Sequence, residues 1–191
     1  MIQTFDYTIL SFLHQLAVAT GGALTPVFRA ISFLVDGDKG YPLIILGLIL
    51  TIIPKTRKLG WAVLVGMLVS WLFTSQLVKP LVARLRPYQS GSVDYEAWWA
   101  YAGSVAEKEF SFPSGHATVS TAFFSALYFT SRKKVALWGF LVAFLVCVSR
   151  NYLMVHYPTD VLGGFLVGLA GGYLASVLIT KIYEKRKVPS V

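Results

Sequence analysis

Charge is what this sequence has least of: Asp, Glu, Lys and Arg make up 14% of its 191 residues, while 55% are hydrophobic. A soluble domain carries about 25% charged residues, and the mean hydropathy of +0.63 points the same way. A water-soluble globule is excluded. Cysteine is nearly absent: Cys147 is the only one and lies in an apolar run, which excludes intrachain disulfides and cysteine-based metal sites. The start, Met1-Ile2-Gln3-Thr4-Phe5-Asp6, has neither the basic region nor the cleavage site of a signal peptide. Targeting is therefore expected from the membrane helices themselves.

Acidic residues are also few, nine against 17 Lys and Arg, for a net charge of +8. In a soluble protein that excess would suggest nucleic acid; here the positions of the charges decide otherwise. Ten of the 17 fall in three clusters: Lys55, Arg57, Lys58; Arg132, Lys133, Lys134; and Lys181, Lys185, Arg186, Lys187. Each borders an apolar run, as cytoplasmic loops do. The partner implied is the lipid bilayer, not nucleic acid.

Apolar runs near 59–79, 115–131, 135–153 and 159–180 are clear membrane spans, since a helix needs about 20 residues to cross about 30 Å of hydrocarbon. A fifth, near 40–54, is shorter. With the basic clusters inside, the spans thread consistently and the Asp36-Gly37-Asp38-Lys39-Gly40 turn falls outside. Residues 1–35 read as an amphipathic interfacial helix or a short sixth span. The expected fold is all-α, a polytopic transmembrane helical bundle forming one domain over 1–191, with an extracytoplasmic loop at 80–112 and a cytoplasmic basic tail at 181–191. The loop mixes Tyr88, Tyr95, Trp98, Trp99 and Tyr101 with four acids, which fits an aromatic belt at headgroup level or a lid over a lipid headgroup. Glycines 163, 164, 168, 171 and 172 in the last span permit close helix packing, within the monomer or across a dimer.

Three polar constellations interrupt the apolar pattern, and the threading puts all three on the outer face. In Lys79-Pro80-Leu81-Val82-Ala83-Arg84-Leu85-Arg86-Pro87, Lys79 and Arg86 are seven apart, a spacing that predicts one helical face. Alone they would be snorkelling cations. Pro113-Ser114-Gly115-His116 opens a span and leaves free N–H groups for an anion, with the Ser114 hydroxyl as a further donor; alone it would be an ordinary cap. Ser149-Arg150 precedes His156 and Asp160, which are four apart, so that the carboxylate can hold one ring nitrogen and leave the other outward. Together the cations and the helix terminus suit a phosphoryl group, and two histidines can divide nucleophilic attack and proton transfer. A two-metal site needs several carboxylates and only Asp160 lies within a motif, so no metal or cofactor is expected.

These three stretches resemble the signature of the type 2 phosphatidic acid phosphatase superfamily, with every position matched in order over roughly residues 79–165. The resemblance implies a membrane helical bundle of six spans working without metal. It implies His156 as nucleophile forming a phosphohistidine, Asp160 orienting it, and His116 as general acid and then base. Lys79, Arg86, Ser114, Gly115 and Arg150 would bind the phosphate, while Pro87, Pro113 and Ser149 would be structural. A small basic chain with outward-facing chemistry is similar to the branch acting on undecaprenyl diphosphate, the expected substrate, or on phosphatidylglycerol phosphate; phosphatidate and lipid A phosphate are further candidates. The reading of another class is a small transporter or channel, whose intramembrane charges line a path; here the charges sit at span ends on one face.

Overall fold

The computed structural model describes residues 2–35 and 42–185; the expected Asp36–Gly40 turn and the tail residues Arg186 and Lys187 lie outside them. Those residues form only helices: α1 (Ile2–Ala19), α2 (Thr25–Phe33), α3 (Pro42–Ile52), α4 (Arg57–Leu72), α5 (Lys79–Val82), α6 (Val93–Tyr101), α7 (Gly115–Ser131), α8 (Trp138–Tyr152) and α9 (Pro158–Lys185), with short 3-10 turns between some of them. A π-helical turn, Phe73–Val78, joins α4 to α5.

Among the described residues, three stretches are long and apolar enough to cross a membrane: Arg57–Gln89, Lys134–Tyr152 and Pro158–Lys185. α3 is apolar but has 11 residues. α7 has the bounds expected of a span, yet it is not among the apolar helices because it occupies the middle of the bundle. It packs against α9 and α4 on one side and α8 on the other. A helix largely enclosed by its neighbours can carry hydroxyls, and Thr118, Ser120, Thr121 and Ser125 are all buried. Thr118 and Ser120 donate back to the carbonyls of Ser114 and His116, and Ser125 donates across to Leu169 O. The large apolar side chains point outward instead, among them Leu68, Phe144, Leu166 and Leu174.

The glycines of α9 make this packing close. A Cβ on Gly164, Gly168 or Gly172 would stand 2.4, 2.3 or 2.5 Å from the backbone oxygen of Ser114, Thr118 or Ala122. That face of α9 is therefore used inside the monomer, against α7, while Gly171 faces Ser70 of α4.

α1 and α2 stay at one end of the bundle. Asp6 meets Thr159, Leu10 and Leu13 cluster with Met154 and Tyr157, and Ala17 packs with Tyr152, Leu153 and Val155. The aromatics of the 80–112 connection join the same layer: Tyr95 and Trp98 pack against Tyr7, Trp98 stacks on His14 at 5.2 Å, and Trp99 stacks on Tyr88. They fasten α6 to α1.

Candidate active site

Four helices reach one level from below: α5 ends there, α7 begins, α8 ends and α9 begins. Each terminus has a local cause. Ser114 is the N-cap of α7, accepting from Ala117 N. Pro158 opens α9, where no helical N–H is lost. α5 ends because Ala83 adopts a left-handed conformation, φ 47°. This last feature corrects the expectation for Lys79 and Arg86. They do not share a helical face; the chain leaves the helix after Val82 and carries Arg86 back in an irregular segment. Both still reach the same cavity.

That cavity has a volume of about 680 Å³, and Lys79, Arg86, Gly115, His116 and His156 line it together with Glu107 and Glu109. His156 lies in the turn between α8 and α9 and is 1% exposed. Its Nε2 is 3.2 Å from Arg86 Nη1. A guanidinium only donates, so Nε2 is the acceptor and the network assigns the ring proton to Nδ1. Burial, then the charges of Arg86, Arg150 and Lys79, hold this imidazole well below its ordinary pKa. It is thus a neutral base with its lone pair at the cation-lined cavity.

The other ring nitrogen departs from expectation. Asp160 Oδ2 is 3.7 Å from His156 Nδ1, beyond hydrogen-bond distance. The Ser111 hydroxyl lies alongside, 3.4 Å from Nδ1 and donating to Oδ2 at 2.5 Å. The proton path from ring to carboxylate therefore includes a serine. Tyr157 N–H also donates to Oδ2, at 2.9 Å, and Arg84 Nη1 donates to Oδ1 at 2.6 Å.

The cations are held by acids and carbonyls. Lys79 pairs with Glu109, Arg150 with Glu107 and Ser32, and Arg86 donates to Glu109 O and Val155 O at 2.9 and 2.8 Å. Arg150 and Ser114 do not line the cavity; Arg150 meets it through Glu107, and Ser114 is fully buried as a cap. His116 Nε2 is buried and has no hydrogen-bond partner among the described residues. No three His, Cys, Asp or Glu side chains among the described residues form a metal-binding group. Ser111, Arg84 and Asp6 are site-forming residues that the sequence motifs do not mark, and Glu107 and Glu109, legible only as acids of the 80–112 loop, pair with the site cations. Arg84 lay inside a motif as a spacer, Asp6 was visible as an acid in an apolar run, and Ser111 carried no signal.

Comparison with known proteins places these features in context. An undecaprenyl-diphosphatase of Sulfolobus acidocaldarius is 31% identical over 120 residues, 63% of this chain and 55% of that protein. A lipid A 4'-phosphatase of Porphyromonas gingivalis is 35% identical over 127 residues, 64% of this chain and 50% of the relative. Phosphatidylglycerophosphatase B of Bacillus subtilis is 32% identical over 123 residues, 59% of this chain and 55% of the relative. The matches thus span about half the length of these curated relatives. Among solved structures, the transmembrane PAP2 type phosphatidylglycerolphosphate phosphatase from Bacillus subtilis superposes with a TM-score of 0.62 at 26% identity, covering 99% of this chain and 97% of that one. The PAP2 superfamily profile itself matches residues 59–184, and the chain belongs to that family.

Proposed function

We propose that this chain is a metal-independent lipid phosphatase that cleaves a phosphate from a membrane lipid, with undecaprenyl diphosphate as the preferred substrate. The observation that carries the reading is the two-part wall of the cavity. Its polar end holds His156, His116, Lys79 and Arg86; its other wall is Leu34, Leu43, Ile44, Leu64, Leu68 and Trp71. An anionic head attached to an apolar chain fits both. The undecaprenyl-diphosphatase relative favours the diphosphate; the likeness in fold to the phosphatidylglycerolphosphate phosphatase keeps phosphatidylglycerophosphate as the second candidate.

In this mechanism His156 Nε2 attacks phosphorus as the bond to the leaving oxygen breaks, giving a phosphohistidine. His116 gives its proton to the leaving oxygen, then takes one from water, which hydrolyses the N–P bond and frees inorganic phosphate. Asp160, through Ser111, stabilises the imidazolium. Lys79, Arg86 and the Gly115 N–H receive the charge that spreads over the phosphoryl oxygens, with Arg150 acting from behind Glu107 and Ser114 fixing the helix start, and Glu107 and Glu109 must yield their cations to it. The histidine–cation chemistry supplies every proton and charge needed without a metal.

The site faces the extracytoplasmic side, with α3, α4, α7, α8 and α9 crossing and α1 lying in the interface over the site. Support comes from the basic residues at the far ends of α4, α7, α8 and α9: Arg57, Arg132, Lys134 and Lys185. The contacts of α1, made to Arg84, to α6 and its flanks, and to residues 148–159 at the site end of the bundle, support its interfacial placement.

The test is phosphate release by purified protein from a panel of lipid phosphates and diphosphates in EDTA. The highest kcat/KM is expected for undecaprenyl diphosphate. No release from any lipid phosphate, or loss in EDTA restored by Mg²⁺, overturns the reading. For orientation, Ser90→Cys in a Cys147→Ser chain is expected to react with an impermeant maleimide on intact cells, and Lys133→Cys is not; the reverse pattern inverts the topology.

A further inference from the structure

We propose that Arg84, tied down by Asp6 of α1, is the positioning residue that holds Asp160 charged and in place behind His156. Three observations converge on it. Asp160 is fully buried, and a buried carboxylate stays ionised only when a cation or several donors compensate it. The signature cations do not do this: Arg86 spends its donors on Glu109 O, Val155 O and His156, while Lys79 and Arg150 pair with Glu109 and Glu107. Arg84 does, with Nη1 2.6 Å from Asp160 Oδ1 and its Cζ 3.8 Å above the Tyr157 ring.

Arg84 is not itself a phosphate ligand, because it is absent from the cavity wall. Its second arm goes elsewhere: Nη2 donates to Asp6 Oδ2 at 2.8 Å. Asp6 is 1% exposed and also accepts from Thr159 N and Thr159 Oγ1 at 3.0 and 2.8 Å. One guanidinium is therefore stretched between two buried carboxylates at the first turn of α9, where the helix terminus favours negative charge. A planar fork can serve both acids at once; an ammonium on a flexible stem cannot hold that geometry. The network also gives α1 a task, since Asp6 is its buried acid and meets the residue preceding Asp160.

The chain of effects is Asp6 to Arg84, Arg84 to Asp160, and Asp160 through Ser111 to His156 Nδ1–H. Losing Arg84 weakens the acceptor behind Nδ1–H, so the tautomer is then held only by the Arg86 donor at Nε2. Arg84 matters to turnover only on the phosphatase reading proposed above; its effect on the imidazole does not depend on that reading.

The experiment compares the parent with Arg84→Met, Arg84→Lys and Asp6→Asn in detergent. Nitrogen NMR of the imidazole, assigned by its absence in His156→Gln, is expected to show an Nδ1-protonated neutral ring in the parent and a mixture of tautomers in Arg84→Met. With a lipid phosphate, kcat of Arg84→Met is expected to fall roughly 10- to 100-fold, the scale seen when groups that orient a working residue are removed, with KM unchanged. Arg84→Lys and Asp6→Asn should fall between. An unchanged tautomer in Arg84→Met, or a rise in KM alone, overturns the positioning role. If Arg84→Met does not fold, Asp6→Asn decides by the same two readings. A parent that releases no phosphate but shows the tautomer shift sinks the phosphatase reading and leaves the clamp standing.

Discussion

The Ser111 hydroxyl donates to Asp160 Oδ2 at 2.5 Å. Both residues are fully buried, and the same oxygen stands 3.4 Å from His156 Nδ1. Ser111→Ala removes a donor from a buried carboxylate and the nearest oxygen from the ring proton. Tyr157 N–H still donates to that oxygen, so the loss is one hydrogen bond to a charged group, about 1.5–3 kcal/mol, and melting in detergent should come earlier. Turnover should fall about tenfold, the effect of losing about 1.4 kcal/mol of transition-state stabilisation. Ser111→Thr keeps the hydroxyl and should retain more activity than Ser111→Ala. Equal activity of parent and Ser111→Ala would show that Asp160 reaches the ring without the serine.

His116 lines the cavity with its Nε2 unpaired among the described residues, and the proposed mechanism makes it the group that protonates the leaving oxygen. General acid catalysis is worth about 10²–10⁴-fold, and its loss should depend on the leaving group. His116→Ala is expected to lose most with an alkyl phosphate. It should lose least in the first step with p-nitrophenyl phosphate, whose leaving oxygen needs no proton. With that substrate the second step still lacks its base, so a burst followed by slow release should appear, with acid-labile phosphate on the protein. His156→Ala should give neither burst nor labelled protein. Label surviving in His156→Ala would move the nucleophile elsewhere.

What was legible in the sequence was the part written in long-range composition or in spaced polar residues. The bounds expected at 115–131 match those of α7, because a Ser cap and a basic stop are local signals. His116, His156, Lys79, Arg86 and Gly115 do share a cavity. What was not legible depends on backbone departures and on single residues. The left-handed Ala83 breaks the helix on which the seven-residue spacing relied, and a lone Ser111 or Asp6 has no periodicity to mark it. The direction of the α9 glycines was equally hidden; only packing shows that Gly164, Gly168 and Gly172 press on α7.

Gly168 tests that packing. An added Cβ would lie 2.3 Å from Thr118 O and 2.9 Å from Ala122 N, both backbone, so no side chain can swing away. Gly168→Ala must push α9 off α7, at a cost of about 1–3 kcal/mol for an overpacked core. Because α7 carries His116 and α9 carries Asp160, activity should fall along with thermal stability. Gly21→Ala, where no atom lies within 4 Å but φ is +57°, should cost only local backbone strain and leave activity intact. Similar losses at both positions would refute the close seam.

The pH profile follows from His156. Burial and the cations Arg86, Arg150 and Lys79 lower its pKa well below the ordinary value near 6.5. In the proposed mechanism the attacking form is the neutral one, so a depressed pKa keeps that nucleophile available as pH falls. The acid limb of kcat/KM that belongs to His156 should therefore lie well below pH 6.5. Arg86→Gln removes the largest charge acting on the ring, so in its residual activity that limb should move toward neutral pH. Nitrogen NMR titration of the same ring should shift in the same direction, independently of turnover. A parent ring titrating at or above 6.5 would mean that the site is more hydrated, or its cations more fully neutralised by Glu107 and Glu109, than the packed geometry implies.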